Sequence, residues 1–119
     1  MTDANTWLIR IHTAPYISPR AALGLDATLA CGAFGQAVKL VLEGPAIELL
    51  KPLPAAPEGG RNLHKMIASL PLYDVDRVYL LSEDLTTIPD TTFDELQITL
   101  VNSGELANLI ANSRHVLSF

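Results

Sequence analysis

The sequence has a single cysteine, Cys31, so it forms no internal disulfide. Its three histidines, His12, His64 and His115, are far apart, and neither a C-x-x-C nor an H-x-x-x-H spacing occurs. Nothing in the spacing points to a zinc site. Glycine is missing where a phosphate cradle would need it: neither G-x-G-x-x-G nor G-x-x-x-x-G-K-S/T is present. Backbone N–H groups approach a phosphate closely only where glycines clear the way, and the loop Thr13–Ser18 has none. Basic residues are few and scattered, eight against thirteen acidic ones, for a net charge of −5. A chain that grips nucleic acid directly carries a basic stripe, so that class is set aside. No segment approaches the roughly 18 apolar residues of a membrane helix. The opening residues M-T-D-A-N-T-W also lack a positive region leading into an apolar run. A protein of the reducing cytoplasm is the expectation.

What is present is apolar. Hydrophobic residues make up 49% of the 119 and charged residues 18%. That excludes a disordered chain and is enough for one domain, 1–119, with its own core. In a domain this small it also leads us to expect partners over part of the surface.

Trp7–Ile11 is rich in large apolar residues and reads as a strand buried on both faces. Ser18 followed by Pro19 is a helix-start signal, with serine as N-cap. The helix runs to about Cys31 and can end at Gly32 or Gly35. Leu25 and Leu29 lie on one side with Ala22 and Ala33; Gly24, Ala27, Thr28 and Cys31 make a second stripe. Being apolar nearly all round, this helix is expected to be buried on more than one face. Its small residues let another backbone come close, within the fold or across subunits.

Ala37–Leu42 is a second strand, broken by Glu43-Gly44-Pro45, and Ala46–Leu50 is a short helix. Lys51–Gly60, with three prolines and two glycines, reads as an exposed loop. Asn62–Leu70 is a helix with Leu63, Met66, Ile67 and Leu70 inward, stopped by Pro71. Strands follow at Arg77–Leu81 and Leu96–Val101, with a turn at Pro89-Asp90 between them. Asn102 and Glu105 resemble a capping box for a helix over Glu105–Asn112, apolar at Leu106, Leu109 and Ile110. His115–Phe119 is a last strand. Strands alternating with helices predict an α/β fold, with helices on both faces of a largely parallel sheet.

Few residues qualify for chemistry. Cys31 falls near a helix C-terminus, where the dipole disfavours a thiolate, and its neighbours are Ala30 and Gly32. It reads as a small packed hydrophobe. Ser82-Glu83-Asp84 follows the third strand, at the end of an α/β sheet where functional groups gather. Two carboxylates without a basic neighbour are more often solvated or capping than catalytic. His12 is a structural strand-end residue by the same weighing. Asp26, inside an apolar helix, is expected to face a polar seam. The residues assign no catalytic, cofactor-binding or metal-ligating position and imply no cofactor.

The run Ala14–Gln36, A-P-Y-I-S-P-R-A-A-L-G-L-D-A-T-L-A-C-G-A-F-G-Q, resembles the opening of the DsrE/DsrF-like sulfur-relay proteins, nearest their TusC or DsrF branch. Further matches are Glu43-Gly44, Ile47-Glu48-Leu49-Leu50, Leu72-Tyr73-Asp74-Val75, Ser82–Leu85 and Val116-Leu117-Ser118-Phe119. The sequence departs from the pattern at Glu43-Gly44, where Asp-Gly is usual, and at L-G-L-D, where R-E-A-L-D-like sequence is usual. The resemblance implies a single three-layer α/β/α domain on a parallel five-stranded sheet. It implies a cytoplasmic complex with TusB-like and TusD-like sister subunits, a dimer of heterotrimers. That complex passes persulfide sulfur towards 2-thiouridine at the tRNA wobble position. The sulfur-carrying subunit has its cysteine near the end of the third strand, where this chain reads Leu80-Leu81-Ser82-Glu83. The chain therefore resembles a non-catalytic partner subunit rather than an enzyme by itself. The rival readings are a DsrF-type subunit of a sulfur-oxidation complex, a sulfur carrier using Cys31, and a flavodoxin-like small-ligand binder.

Overall fold

The computed structural model describes residues 3–51, 62–85, 93 and 95–119. The expected loop over Lys51–Gly60 lies outside these residues except for Lys51, and the expected turn at Pro89-Asp90 lies wholly outside them. The elements in order are β1 (Asp3–Ile11), α1 (Arg20–Ala33), β2 (Ala37–Leu42), a 3-10 helix (Gly44–Leu50) and α2 (Leu63–Ser69). A 3-10 turn (Leu70–Tyr73), β3 (Arg77–Leu81), a short 3-10 turn (Ser82–Asp84), β4 (Gln97–Val101), α3 (Ser103–Ala111) and β5 (Ser113–Ser118) follow. The five strands form one sheet in the order β4-β3-β2-β1-β5, and every pairing is parallel.

The central strands are apolar on both sides because both sides are covered. Ile9, Ile11, Leu40, Leu42, Val78 and Leu80 face one layer with Leu25, Leu63 and Ile67. On the opposite face Leu8, Val41 and Val101 pack with Leu106 of α3. Most of these side chains are fully buried, and each buried leucine or isoleucine contributes about 2 kcal/mol. From β1 to β4 the chain steps in one direction, and α1 and α2 lie on a single face. From β4 to β5 it returns across the whole sheet, and α3 lies on the other face. Crossovers of one hand require that change of face when the direction reverses.

Helix ends follow local chemistry. Asn102 accepts from the Glu105 N–H at 2.8 Å, while Glu105 accepts from the Asn102 N–H at 3.1 Å, which completes the capping box expected for α3. Asn62 caps α2 by accepting from the Lys65 N–H. At the end of α1, Gly35 takes φ +73°, and the Gln36 and Gly35 N–H groups donate to the carbonyls of Cys31 and Gly32. This is the paired bonding of a glycine-ended helix.

Two expectations for α1 need correction. Its cap position is Pro19, not Ser18: the Pro19 carbonyl accepts the first helical bond from Leu23, and Ser18 Oγ accepts only from the Arg20 N–H at 3.3 Å. The fixed proline φ already suits the boundary residue, so the helix begins one place later. Nor is α1 buried all round. Its inward face is Ala21, Gly24, Leu25 and Thr28, while Leu23, Ala30 and Ala33 are exposed.

Gly24 of the small-residue stripe, and Gly32 beyond it, serve close contacts inside this chain. A Cβ at Gly32 would sit 2.4 Å from the carbonyl oxygen of Tyr73, and one at Gly24 would sit 2.7 Å from Ile11 Cγ1. Alanine is the better helix former by about 1 kcal/mol. At Gly32 the obstacle is backbone, which yields less readily than the end of an isoleucine side chain. We therefore expect Gly32→Ala to destabilise by about 1–3 kcal/mol and Gly24→Ala by less. Urea unfolding of the two variants checks this; a stabilised Gly32→Ala would show that the approach of α1 to Tyr73 is not tight.

Candidate functional site

In a parallel α/β sheet the carboxyl ends of the strands are the first place to look for chemistry. Here that end is occupied by polar groups holding one another. Arg10, at the end of β1, donates from Nε and Nη2 to the two carboxylate oxygens of Glu43, just beyond β2, at 2.9 and 2.8 Å. The pair is bidentate and partly buried, the geometry in which arginine–carboxylate pairing is strongest, and Glu43 holds the guanidinium pKa above its usual value. Sequence reading gave no hint of this pair, because the two residues are 33 apart and meet only through the register Arg10↔Val41.

The two carboxylates after β3 are also engaged. Asp84 Oδ2 accepts from the Gly44 N–H at 2.8 Å, which ties the turn after β3 to the turn after β2. Glu83 Oε1 accepts from both the hydroxyl and the backbone N–H of Ser103, the first residue of α3. Those hydrogen bonds, the hydroxyl first, hold the Glu83 carboxyl below the ordinary carboxylate range. The capping reading of this segment is the one the geometry supports. Ser82 is half-buried at the end of β3, and its carbonyl accepts from the Leu85 N–H.

Cys31 stands elsewhere. α1 runs back from the carboxyl end of β1 to the amino end of β2, and Cys31 lies in its last turn, beside the Gly32–Tyr73 contact. It is therefore at the opposite end of the sheet from Ser82. The thiol is half-buried, and burial pushes its pKa up. A helix C-terminus adds nothing to stabilise a thiolate.

The three histidines fall on three elements. His12 follows β1, and its backbone N–H donates to the carbonyl of Phe119. His115 on β5 stacks on Trp7 at 4.1 Å between ring centres. His64 on α2 packs on Phe93 at 4.8 Å, with its Nδ1 buried and without a hydrogen-bond partner among the described residues. Among the described residues no group of three or more His, Cys, Asp or Glu side chains is placed to hold a metal ion, and no helix is long and apolar enough to cross a membrane.

Concave surface is found at the amino ends of β2 and β3. Two adjoining hollows, of about 200 and 360 Å³, share Val38, Lys39 and Asp74. The sequence could have named Lys39 and Arg77 as candidates only if the strand order had been known.

The Glu83–Ser103 contact has a pH signature. Its depressed carboxyl contributes stability above the ordinary carboxylate range, and that contribution is lost as the pH falls through the lowered value. Glu83→Gln is therefore expected to lower the thermal midpoint near pH 7, with the difference from the unaltered chain shrinking in acid below about pH 4. A difference that persists unchanged in acid would mean that the carboxylate is not what α3 relies on.

The fold and this arrangement can be set beside known proteins. The description of the DsrE/DsrF-like family matches residues 7–119. The TusC homologues of Vibrio vulnificus strains CMCP6 and YJ016 are each 30% identical to this chain over 116 residues, 96% of this chain and 97% of theirs. The crystal structure of YchN from E. coli superposes with a TM-score of 0.78 over 97% of this chain and 99% of that one, at 22% identity, a likeness of fold. A match from the first buried strand to Phe119, together with relatives aligned end to end, is the signature of common descent: the chain belongs to the DsrE/DsrF-like family, and among its members it is similar to the TusC homologues.

Proposed function

We propose that this chain is a non-catalytic subunit of a sulfur-relay complex and works beside TusB-like and TusD-like sister subunits. The observation that carries the reading is the end of β3. The resemblance puts the sulfur-carrying subunit's cysteine near the end of the third strand, where this chain reads Leu80-Leu81-Ser82-Glu83 without a cysteine, and a hydroxyl cannot hold a persulfide. Around it, Glu83 and Asp84 are engaged in holding α3 and the Gly44 turn, so neither is left as an acid–base group. Cys31 is a poor substitute, being half-buried with a raised pKa at the far end of the sheet. No residue of this chain is proposed to carry sulfur, bind a cofactor or ligate a metal.

In this reading residues 1–119 act as one DsrE/DsrF-like domain in a cytoplasmic hetero-oligomer, a dimer of heterotrimers. The relay delivers sulfur towards 2-thiouridine at the tRNA wobble position. The similarity to TusC homologues favours that pathway over sulfur oxidation. The chain itself does not grip the tRNA: its net charge of −5 opposes a phosphate backbone, and downstream relay proteins make that link.

The expected outcome of co-expression with the two sister subunits is a stoichiometric complex that stays together through size exclusion, whereas the chain alone is poorly behaved or self-associates. Light scattering on the eluted peak reads the stoichiometry. A well-behaved monomer that passes both sisters by would reject the proposal.

A further inference from the structure

α3 is the only helix among the described residues that packs on its face of the sheet, and it covers only part of it. Its Leu106 packs over Leu8, Val41 and Val101, with Tyr79 and Leu81 at the margin. Towards the amino ends of the strands the same face carries Lys39 and Arg77. They stand side by side, each one residue before the paired Leu40 and Val78. Like charges on neighbouring strands repel. Among the described residues the two ion pairs are Arg10–Glu43 and Lys51–Glu48, so neither Lys39 nor Arg77 has a carboxylate within ion-pair distance. Arg77 donates only to the neutral Gln97 side chain, at 2.8 Å. Asp74 and Asp76, both exposed, line the hollow without closing on either cation.

The adjoining hollow leads from Lys39 to the end of α1, and its wall includes Gly32 and Gly35. Phe34 lies between those two glycines and is 83% exposed. Across the Gly32–Tyr73 contact stands Leu72, 82% exposed, just before the hollow-lining Asp74. The Gly32–Tyr73 contact brings the segments that carry Phe34 and Leu72 to the same end of the sheet, where both side chains are exposed. A single surface thus runs from an apolar pair to a cationic pair.

We propose that this amino-terminal end of the sheet is a docking surface for a partner subunit, which inserts an acidic segment with an apolar side chain beside it. The partner's carboxylate sits between Lys39 and Arg77 and relieves their repulsion; its apolar side chain covers Phe34 and Leu72. Charge complementarity selects the partner through the two adjacent cations: Asp74 and Asp76 share the hollow but pair with neither, so Lys39 and Arg77 are left to take a carboxylate from outside. The inference rests on the reading of the chain as a subunit of a hetero-oligomer. It adds that the docked surface is the end of the sheet away from Ser82.

The test uses the full chain mixed with the TusB-like and TusD-like subunits from the same source, with association measured by calorimetry at low and high salt. The double variants are Phe34→Ser with Leu72→Ser, and Lys39→Glu with Arg77→Glu. Ile17→Ser is the control, 82% exposed in the loop at the other end of α1. All are surface changes, and circular dichroism verifies that each variant folds. Both double variants are expected to weaken association at least ten-fold. Charge reversal should also remove most of the salt dependence, and Ile17→Ser should bind as the unaltered chain does. Unchanged affinity in both double variants overturns this inference and leaves the hetero-oligomer intact. No association by the unaltered chain overturns both readings. A homodimer of the isolated chain that the same substitutions dissolve would assign the face to a second copy and overturn the heteromeric docking.

Discussion

One constraint shapes most of this molecule: parallel strands must be joined by crossovers of a single hand. The chain lays β1 to β4 in one direction and so stacks α1, α2 and both longer 3-10 segments on one face. Its one reversal carries α3 to the other face, alone among the described helices. The two faces are therefore unequal. The first is covered by several elements and holds the larger core. Among the described residues the second has one nine-residue helix across five strands, and Lys39 and Arg77 lie on that face towards the amino ends. Close packing on the first face depends on α1 approaching its neighbours, and Gly24 and Gly32 permit that.

The same topology separates the two ends of the sheet. At the carboxyl end the polar side chains are held in internal bonds: Arg10 with Glu43, Asp84 with Gly44, Glu83 with Ser103. These bonds fix the turns after β1, β2 and β3 and the start of α3 relative to one another. They tie that end of the sheet together through bonds within this chain. At the amino end the reverse holds: among the described residues Lys39 and Arg77 stand without carboxylate partners, and Phe34 and Leu72 are exposed. On the proposed reading, a subunit that positions a neighbour's chemistry needs a frame and a surface for attachment, and the two ends of the sheet would supply them separately.

Much of this was legible in the sequence. β2 and β3 fall where apolar runs bounded by turn residues place them, and α3 begins at the Asn102/Glu105 capping box. β1 reaches back to Asp3, four residues further than the apolar run beginning at Trp7. Asp3, Ala4 and Asn5 are weak strand formers, drawn in by pairing with β5 rather than by propensity. The burial of α1 was overestimated because alanine is equally at home on either side of a helix: Ala21 is inward, while Ala30 and Ala33 are outward. The family resemblance, carried by Ala14–Gln36 and Leu72–Val75, agreed with the later matches over residues 7–119. Strand order was not legible, since hydrophobic period sets which face a residue takes and not which strand is its neighbour. For that reason the Arg10–Glu43 pair and the adjacency of Lys39 and Arg77 emerged only from the three-dimensional arrangement.

The central claim is that sulfur passes through the complex without residing on this chain. The most direct measurement is intact-mass analysis of each subunit after the assembled complex has been loaded with persulfide sulfur, comparing the unaltered chain with Cys31→Ser. The account predicts added sulfur on a sister subunit, none on this chain, and equal transfer in both complexes. Sulfur found on Cys31, with transfer lost in Cys31→Ser, would contradict it.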